Sequence, residues 1–526
     1  THDFKALEHI LEKMPRDELF QVTSEELYTL ALGILRLQIK QRVALFSHLD
    51  PMGQHMSCLI YVPRDRYNTK FRMQAGRVLE NGLKGRVSNW FVTLDDSLLA
   101  RVLFTVQVDD GGKAYDHAAL EGQLIEMSRE WDERLKKVLI DVYGKIKGAE
   151  LAFTYGRAFP SSYHESIQIE NAVHDIRQLE LIVHNAAKDD IGVEFYRLNN
   201  APKGEFRLKV YHESKPVPLS DILPVLDNMG LKSASEMPYE VKPHGYDGAI
   251  WLHDFVLKGA EDIDLDKVKQ TFEETFVHVW KGHAENDGLN QLVLRANLSW
   301  REVMILRAYG GYMRQARLPY SRAYIEQTLN AYPQIARELV EMYKLMHDPK
   351  GAAKSVEKAR LAGEKILEML QQVQKLDHDR ILRGYKTLIE KTLRTSYFQT
   401  DAEGRPKSHL AFKLDSKNIM ELPLPRPHVE IYVYSTRVEA IHLRGGDIAR
   451  GGIRWSDRHE DFRTEVLSLM KAQQVKNTVI VPVGAKGGFI VKQPPKTGGR
   501  EAYQAEVIEC YKIFVQALLD LTDNYV

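Results

Sequence analysis

The sequence has few of the residues and patterns that mark several large classes of protein. Only Cys58 and Cys510 are cysteines, and two so far apart form neither a disulfide framework nor a zinc cluster. Neither charge is in excess, since 72 basic residues face 72 acidic ones, so the composition does not favour a nucleic-acid partner. These absences indicate a protein of a reducing compartment that binds neither nucleic acid nor a structural metal.

Long apolar runs and targeting patterns are also missing. The apolar runs are far shorter than the roughly 20 residues that cross a bilayer, and no signal-peptide pattern opens the chain. We therefore predict a cytoplasmic protein without a membrane partner. A chain of 526 residues exceeds a single core, so we expect three or four domains. Because the chain starts at Thr1 without a methionine and stops at Val526 directly after a helical pattern, we interpret it as a segment of a longer polypeptide.

Two stretches in the first 287 residues repeat one order of predicted elements: a strand, a helix, two strands and a helix. The predicted strands are at 58–62, 87–93 and 100–108 in the first stretch, and at 206–211, 239–241 and 249–257 in the second. In the second stretch the first helix ends at Gly230, a suitable residue for leaving a helix. Units of this order resemble ACT-like, ferredoxin-like domains, for which amino-acid sensing and plain assembly both remain open.

The second half of the chain changes from helices to strands. Residues 288–397 are predicted to be helical, with Ser299 and Glu302 forming a capping box. Strand patterns follow at 410–414, 429–433 and 438–443. The predicted fold class is multidomain α+β and α/β: two ACT-like βαββα units, a helical region, and the beginning of an α/β substrate domain. The predicted domains are a helical lead-in at 1–45, an ACT-like domain at 46–117, a helical connector at 118–190, a second ACT-like domain at 191–287, a helical domain at 288–400 and an incomplete substrate-binding domain at 401–526.

Two similar arginine-glycine motifs open the most informative part of the sequence. They are Arg444-Gly445-Gly446 and Arg450-Gly451-Gly452. Glycine lets the backbone approach a ligand, and arginine binds carboxylates through two parallel hydrogen bonds. We interpret Arg444 as part of a surface turn, and Arg450 and Arg454 as contacts to a ligand or to a structural anion.

A predicted amphipathic helix follows, with Asp457 and Glu460 as a capping box. Its inward face is predicted to comprise Phe462, Val466, Leu469, Gln473 and Lys476. Lys476 lies at the C-terminal end of this apolar stripe. It either points into a cleft towards an anionic group, or it extends to solvent and caps the helix dipole.

Lys486 is the strongest candidate for chemistry. Residues 478–483 predict a buried strand, and Lys486 follows in the glycine loop 484–488, at the strand end where open α/β sheets place ligands. Glycine packing and the neighbouring cations Lys476 and Arg450 would favour the neutral amine that a general base needs. The loop is not a P-loop, because Lys486 is followed by glycine. A purely structural lysine is the alternative.

These motifs resemble those of glutamate dehydrogenases, which share a [Lys/Arg]-Gly-Gly-[Leu/Ile]-Arg loop, a helix ending in lysine, and a Pro-x-Gly-Gly-x-Lys-Gly-Gly loop. The whole chain, through the motifs Asp50-Pro51-Met52-Gly53 and Ser299-Trp300-Arg301-Glu302, is similar to the large NAD-specific bacterial branch. The resemblance implies that Lys486 activates water against an iminium carbon, that Lys476 binds the α-carboxylate, and that Arg450 binds the γ-carboxylate of glutamate. It also implies that Gly451, Gly452 and Gln473 line the substrate site.

The sequence departs from the family pattern in two places, because Arg450 replaces a lysine and the Lys486 loop is one glycine short. The family's proton-shuttling aspartate and its NAD-binding domain are expected beyond Val526, since no Gly-x-Gly-x-x-Gly motif occurs in these 526 residues. The implied partners are NAD, L-glutamate or 2-oxoglutarate, amino-acid effectors and further copies of the chain in a homo-oligomer. The alternative hypothesis is a regulatory or scaffold protein whose glycine loops bind an anion without chemistry.

Overall fold

The computed structural model of this chain describes residues 7–8, 10–12, 14, 16–39, 41–94, 97–108, 115–184, 191–213, 215–351, 353–476 and 483–522, with only the backbone for 16–18, 38–39, 353–354 and 474–476. The chain divides into two compact units. The first comprises Thr1–Glu180 with Val241–Asp247, and the second comprises Leu181–Glu240 with Gly248–Val526. Among the described helices, none is both long and apolar enough to cross a lipid bilayer.

The first unit contains a four-stranded antiparallel sheet, with helical segments before and after it in the sequence. Its helices are α1 (Arg16–Gln21), α2 (Ser24–Ile39), α3 (Thr69–Leu83), α4 (His117–Ser128), α5 (Trp131–Tyr143), α6 (Lys145–Tyr155) and α7 (Ser161–Ser166), followed by α8 (Ile169–His184), which crosses into the second unit. Its strands are β1 (Ala44–Leu49), β2 (His55–Pro63), β3 (Gly85–Thr93) and β4 (Leu99–Val108), in the spatial order β1-β2-β4-β3.

Strand β2 is buried on both faces, which explains its continuous apolar run. Cys58 and Ile60 belong to the core that α3 and α4 cover, whereas Leu59 and Tyr61 belong to a second core with the apolar side of α2. Because successive side chains of a strand point to opposite faces, one strand serves two hydrophobic cores.

The prediction that residues 1–45 are helical was wrong at its end. Helix α2 ends at Ile39, and Ala44 begins a strand in which it pairs with Tyr61. Short apolar segments are ambiguous between helix and strand, and here pairing with a distant strand decides. The helical connector predicted at 118–190 is not one continuous helix, because α4 ends at Ser128 and α5 ends before Gly144, which has φ of +81°.

The second unit begins with a sheet of the same kind. Its strands are β5 (Ile191–Tyr196), β6 (Glu205–Glu213), β7 (Lys232–Val241) and β8 (Ile250–Lys258), in the order β5-β6-β8-β7, with helices α9 (Leu219–Asn228) and α10 (Leu265–Trp280). Gly230 has φ of +81° just after α9, as its predicted role at the helix end requires. The repeat is confirmed, but each copy is β-β-α-β-β-α, because β1 and β5 were missed.

A helical layer connects this sheet to the last one. It consists of α11 (Gln291–Ala296), α12 (Trp300–Gln315), α13 (Arg322–Ala331), α14 (Pro333–His347), α15 (Ala353–Leu370) and α16 (Leu376–Glu390). The predicted capping box is confirmed: Ser299 accepts from the backbone of Glu302, whose carboxylate accepts from the backbone of Ser299 at 2.8 Å.

The last sheet has seven strands and carries the candidate site. Its elements are β9 (Thr392–Thr395), β10 (Leu410–Leu414), β11 (Val429–Tyr434), β12 (Val438–Arg444), β13 (Ala449–Arg450), β14 (Ile453–Trp455) and β15 (Val483–Val491), with helices α17 (Phe462–Lys476) and α18 (Gly499–Asp520). The order is β13-β15-β12-β11-β10-β9, with β14 also beside β15. Strands β13 and β14 run parallel to β15, whereas β12 runs antiparallel to it.

Candidate functional site

Lys486 lies inside a β-strand, and the predicted glycine loop around it was wrong. Strand β15 runs from Val483 to Val491, and Lys486 pairs with Leu443 of β12. The strand predicted at 478–483 falls outside the described residues except for Val483. Because Lys486 lies within β15 of a mixed sheet, it does not follow the carboxyl end of a strand, contrary to the prediction. The glycines of this segment therefore have another purpose.

Gly484 and Gly488 leave room for side chains of α17, whereas Gly451 in the adjoining arginine-glycine segment allows two backbones to approach closely. A methyl group added to Gly451 would lie 1.4 Å from the carbonyl oxygen of Ala485, so only glycine fits there. Nearby, the Gly487 N–H donates to the carbonyl of Gly452 at 3.0 Å. The Arg450-Gly451-Gly452 segment is thus pressed against the strand that carries Lys486.

Lys486 points towards helix α17. A Cβ built on Gly484 would contact Gln473 of α17, and one built on Gly488 would contact Val466 of the same helix. Alternate residues of a strand share one face, so the half-buried Lys486 side chain lies on this face between those two levels. Within the described parts of the chain, no carboxylate pairs with it.

Gln473 connects the helix to the arginine-glycine segment. Its Nε2 donates to the carbonyl oxygen of Arg450 at 2.8 Å, and its Oε1 is buried without a hydrogen-bond partner among the described residues. The Arg450 side chain itself is exposed, and within the described parts of the chain no carboxylate pairs with it. The structure thus brings Arg450, Gln473 and strand β15 together.

Helix α17 begins later than predicted and buries a slightly different stripe. It starts at Phe462, so the predicted capping box at Asp457 was wrong. The backbone N–H of Ser456, one residue before Asp457, still donates to the Phe489 carbonyl of β15 at 2.9 Å. Phe462 and Val466 are buried as predicted, but Leu469 is only half-buried. The remaining buried members of the stripe are Arg463, Leu467 and Met470. Lys476 closes the helix, and its side chain lies outside the described part of the chain.

The two other arginines of the motifs have structural partners. Arg444 donates to the Asp447 carbonyl at 2.6 Å, as expected for a turn. The Nη1 of Arg454 lies 3.2 Å from Oε1 of Glu465, whose Oε2 accepts from Ser456 at 2.6 Å. The predicted contact of Arg454 with an anion is therefore met by a carboxylate of the chain itself.

A buried pair beside the site was not recognised from the sequence. Arg463 of α17, 1% exposed, pairs with Glu430 of β11, 0% exposed, through distances of 2.9 and 2.6 Å, and Tyr312 of α12 donates to the same carboxylate. Burial and the charge of Glu430 raise the pKa of Tyr312 well above its ordinary value. The available signal was a charged residue inside the otherwise apolar strand at 429–434.

The residue after β15 is a cation with several partners. The Nζ of Lys492 bonds the carboxylate of Glu285, lies 3.2 Å from Glu439, donates to the Ser435 carbonyl at 2.8 Å and sits 4.2 Å from the centre of the Tyr434 ring. This end of the strand is charge-neutralised, unlike the end that carries Lys486.

Burial alone would raise the pKa of Glu285, but the charges of Lys492, Arg307 and Arg322 outweigh it and lower that pKa to about 2. Arg307 and Arg322 also bind Asp287, so the Lys492 pair belongs to a larger buried network.

Taken together, the described residues form a cationic edge of a mixed sheet under one helix. Such an edge can bind a carboxylate through Arg450 and present the Lys486 amine beside it.

Models of protein families match almost the entire chain. In chain order they are glutamate dehydrogenase helical motif 1 (residues 1–40), the ACT2 domain (44–132), helical motif 2 (138–182), the ACT3 domain (190–268), helical motif 3 (284–349) and the catalytic domain of bacterial NAD-glutamate dehydrogenase (365–526). The ACT2 model begins at residue 44, where β1 begins. A catalytic-domain match does not favour the scaffold hypothesis.

Curated relatives agree with these models. The chain is 44% identical over 531 residues to the NAD-specific glutamate dehydrogenase of Halomonas elongata, and 43% identical over 530 residues to that of Pseudomonas aeruginosa. The corresponding enzyme of Mycobacterium tuberculosis is 37% identical over 553 residues. Each alignment covers 100% of this chain but only 32% or 33% of the relative, so the chain spans about a third of their length. The chain belongs to the family of bacterial NAD-specific glutamate dehydrogenases.

Proposed function

We propose that the polypeptide containing this chain oxidises L-glutamate with NAD to 2-oxoglutarate and ammonia, and that these residues supply the substrate-binding half of its cleft. The observation that carries the proposal is Lys486, which lies under α17 on the strand to which the Arg450 segment is bound. Among the described residues it has no acidic partner. A lysine that served only structure would be expected to have partners such as those of Lys492.

The proposed substrate contacts are electrostatic. Arg450 would bind the γ-carboxylate, since its exposed guanidinium can bond both oxygens of a carboxylate. Lys476 would bind the α-carboxylate from the end of α17. The backbone at Gly451 and Gly452 and the side chain of Gln473 would complete the site. Fixing both carboxylates positions Cα for reaction.

The proposed role of Lys486 is proton transfer. Loss of a hydride from Cα leaves an iminium carbon, to which the oxygen of a water molecule adds. The Lys486 amine accepts a proton from that water as the carbon–oxygen bond forms. A proton then passes from the new hydroxyl group to the amino nitrogen and the carbon–nitrogen bond breaks, which releases ammonia and leaves the ketone of 2-oxoglutarate.

NAD would supply the hydride acceptor, but the residues of this chain do not fit a dinucleotide site. The sequence contains no Gly-x-Gly at all, the beginning of the motif that binds a pyrophosphate. We therefore propose that NAD is bound outside these 526 residues and derive no step through it.

The remaining expectations accompany this proposal. We propose that the two ACT-like units bind amino-acid effectors or mediate assembly, that the protein forms a homo-oligomer, and that it acts in the cytoplasm. The domain boundaries given from the sequence remain predictions. Their support is the repeated β-β-α-β-β-α unit and the two ACT-domain matches.

The test is glutamate-dependent NADH formation by the full-length polypeptide carrying this chain, with Lys486→Ala and Lys496→Ala compared. Lys496 is an exposed lysine in the segment after β15 and is a matched control. Loss of a general base reduces kcat by about 10²–10⁴-fold, so we expect such a decrease for Lys486→Ala and wild-type rates for Lys496→Ala. Equal rates for both variants, with circular dichroism unchanged, would disprove the role of Lys486.

A further inference from the structure

The segment that carries Arg450 has little support of its own. Strand β13 has two residues and β14 has three, and Gly451 and Gly452 between them are exposed. Both short strands pair with β15 on one side. A segment this short and exposed needs further anchors to hold an arginine side chain in one place.

Glu465 of α17 supplies such an anchor at the end of the segment. One carboxylate oxygen lies 3.2 Å from the Arg454 guanidinium, and the other accepts from the Ser456 hydroxyl at 2.6 Å. The Glu465 side chain is 15% exposed, whereas Arg454 is 56% exposed. The carboxylate therefore binds two residues of the segment, Arg454 and Ser456, from helix α17.

The geometry points to Glu465 as a positioning residue that fixes the segment 450–456, and through it the Arg450 side chain, for binding of the substrate's distal carboxylate. Gln473 holds the other end of the segment through the Arg450 carbonyl at 2.8 Å. Helix α17 thus grips the segment at both ends, and Glu465 has no contact with substrate in this scheme. The link to glutamate affinity rests on the proposed function, but the anchoring itself does not.

A competing explanation makes the opposite prediction. If Arg454 itself binds the substrate carboxylate, Glu465 competes with the substrate for that guanidinium. Removing the charge of Glu465 would then free Arg454 and lower the KM for glutamate. If Glu465 positions the segment, the same change raises KM.

The decisive variant is Glu465→Gln in the full-length polypeptide, with Glu460→Gln as the control. Glutamine can still accept from Ser456 but loses the charge that holds Arg454. Glu460 precedes the same helix, is 82% exposed and lies 3.8 Å from Arg314, so its variant removes one charge without touching the segment. We expect KM for glutamate to rise about tenfold in Glu465→Gln, with kcat changed less than about threefold, because loss of ground-state positioning acts mainly on binding.

Amide hydrogen exchange provides a readout that does not depend on activity. Exchange in a peptide spanning 449–456 should accelerate in Glu465→Gln and not in Glu460→Gln. Ser456→Ala, which removes one of the two contacts, should accelerate it to a smaller extent and serves if Glu465→Gln does not fold. Unchanged exchange in Glu465→Gln would overturn the inference, as would a lowered KM for glutamate. If Glu465→Gln does not fold, unchanged exchange in Ser456→Ala would overturn it.

The same experiment separates this inference from the proposed function. If the wild-type protein does not oxidise glutamate, the proposed function fails. Faster exchange at 449–456 in Glu465→Gln would still support the anchoring, and unchanged exchange would refute it.

Discussion

The lysines near the two ends of strand β15 have opposite surroundings. Near its start, Lys486 is half-buried and, among the described residues, has no acidic partner. Just past its end, Lys492 bonds Glu285, lies 3.2 Å from Glu439 and packs on the ring of Tyr434. Both lysines belong to the same chain segment, but only one of them is available to a ligand.

The comparison shows how a charge in a protein core is distinguished from a charge in a site. A buried cation is tolerated when carboxylates and carbonyls replace its water, and the Lys492 network does this. A half-buried lysine that lacks such partners among the described residues, beside a helix and a glycine segment, is what the role proposed for Lys486 requires. The contrast between the two lysines can be tested by perturbing each end.

The largest expected effect is the loss of stability in Lys492→Met. The substitution would leave Glu285 and Glu439 buried without their common cation, and breaking a buried pair from one side costs about 3–5 kcal/mol. Lys486→Met should change the free energy of unfolding by less than about 1 kcal/mol, because no ion pair among the described residues is lost. Urea unfolding of both variants measures the difference. Equal losses of unfolding free energy in the two variants would mean that Lys486 contributes as much to stability as Lys492 does.

A second test uses the neighbouring glycines Gly451 and Gly452. A methyl group on Gly451 would overlap the Ala485 carbonyl at 1.4 Å, whereas one on Gly452 would meet no described residue other than its chain neighbours within 4 Å. Gly451→Ala must displace the backbone of β15, with an expected cost of about 3 kcal/mol. Gly452→Ala should cost less than about 1 kcal/mol. The melting temperatures of the two variants measure this difference. Similar values would contradict the close approach of the two backbones.

A third test uses pH at the Lys492 end. The pKa of Glu285 is lowered to about 2 from an ordinary value of 4.5, so its ionised form stabilises the fold above pH 4.5 and this contribution is lost as the pH falls towards 2. Between pH 5 and pH 3 the loss is about 2 kcal/mol. We expect Glu285→Gln to be less stable than the wild type at pH 5, and its stability to fall by about 2 kcal/mol less over this interval. Parallel curves would show that Lys492, Arg307 and Arg322 together do not stabilise the ionised form of Glu285.

Much of the last sheet could be predicted from local pattern. The strands at 410–414, 429–433 and 438–443 were placed correctly to within one residue, because short apolar runs are bounded by serine, aspartate, proline or glycine. The same reasoning failed around Lys486. There the glycines suggested a loop, whereas in the structure they lie within β15, where Gly484 and Gly488 leave room for side chains of α17. The same spacing of glycines can occur in a loop or in a strand, and only the pairing of β15 with β12, β13 and β14 shows that this segment is a strand.

The partners of the charged residues could not be predicted at all. Lys492 meets Glu285 across 207 positions of sequence, and Arg463 meets Glu430 across 33. No local periodicity encodes such contacts. The resemblance to glutamate dehydrogenase motifs did indicate Arg450, Lys476 and Lys486 as candidate site residues, because a motif comprises residues of the site itself. It does not include the distant residues that pack around the site. The roles of these three residues stay predictions.

The smallest expected effect is the stability cost of Glu465→Gln, and it sharpens the contrast between the two ends. Arg454 is 56% exposed, and exposed ion pairs contribute only about 0.5 kcal/mol. Glutamine also keeps the hydrogen bond from Ser456. We therefore expect the melting temperature of Glu465→Gln to stay close to that of the wild type while its affinity for glutamate falls. The Lys492 pair, in contrast, should act on stability far more than the Arg454 pair does. A loss above about 2 kcal/mol in Glu465→Gln would mean that its carboxylate belongs to the core and that any change in affinity is a consequence of partial unfolding.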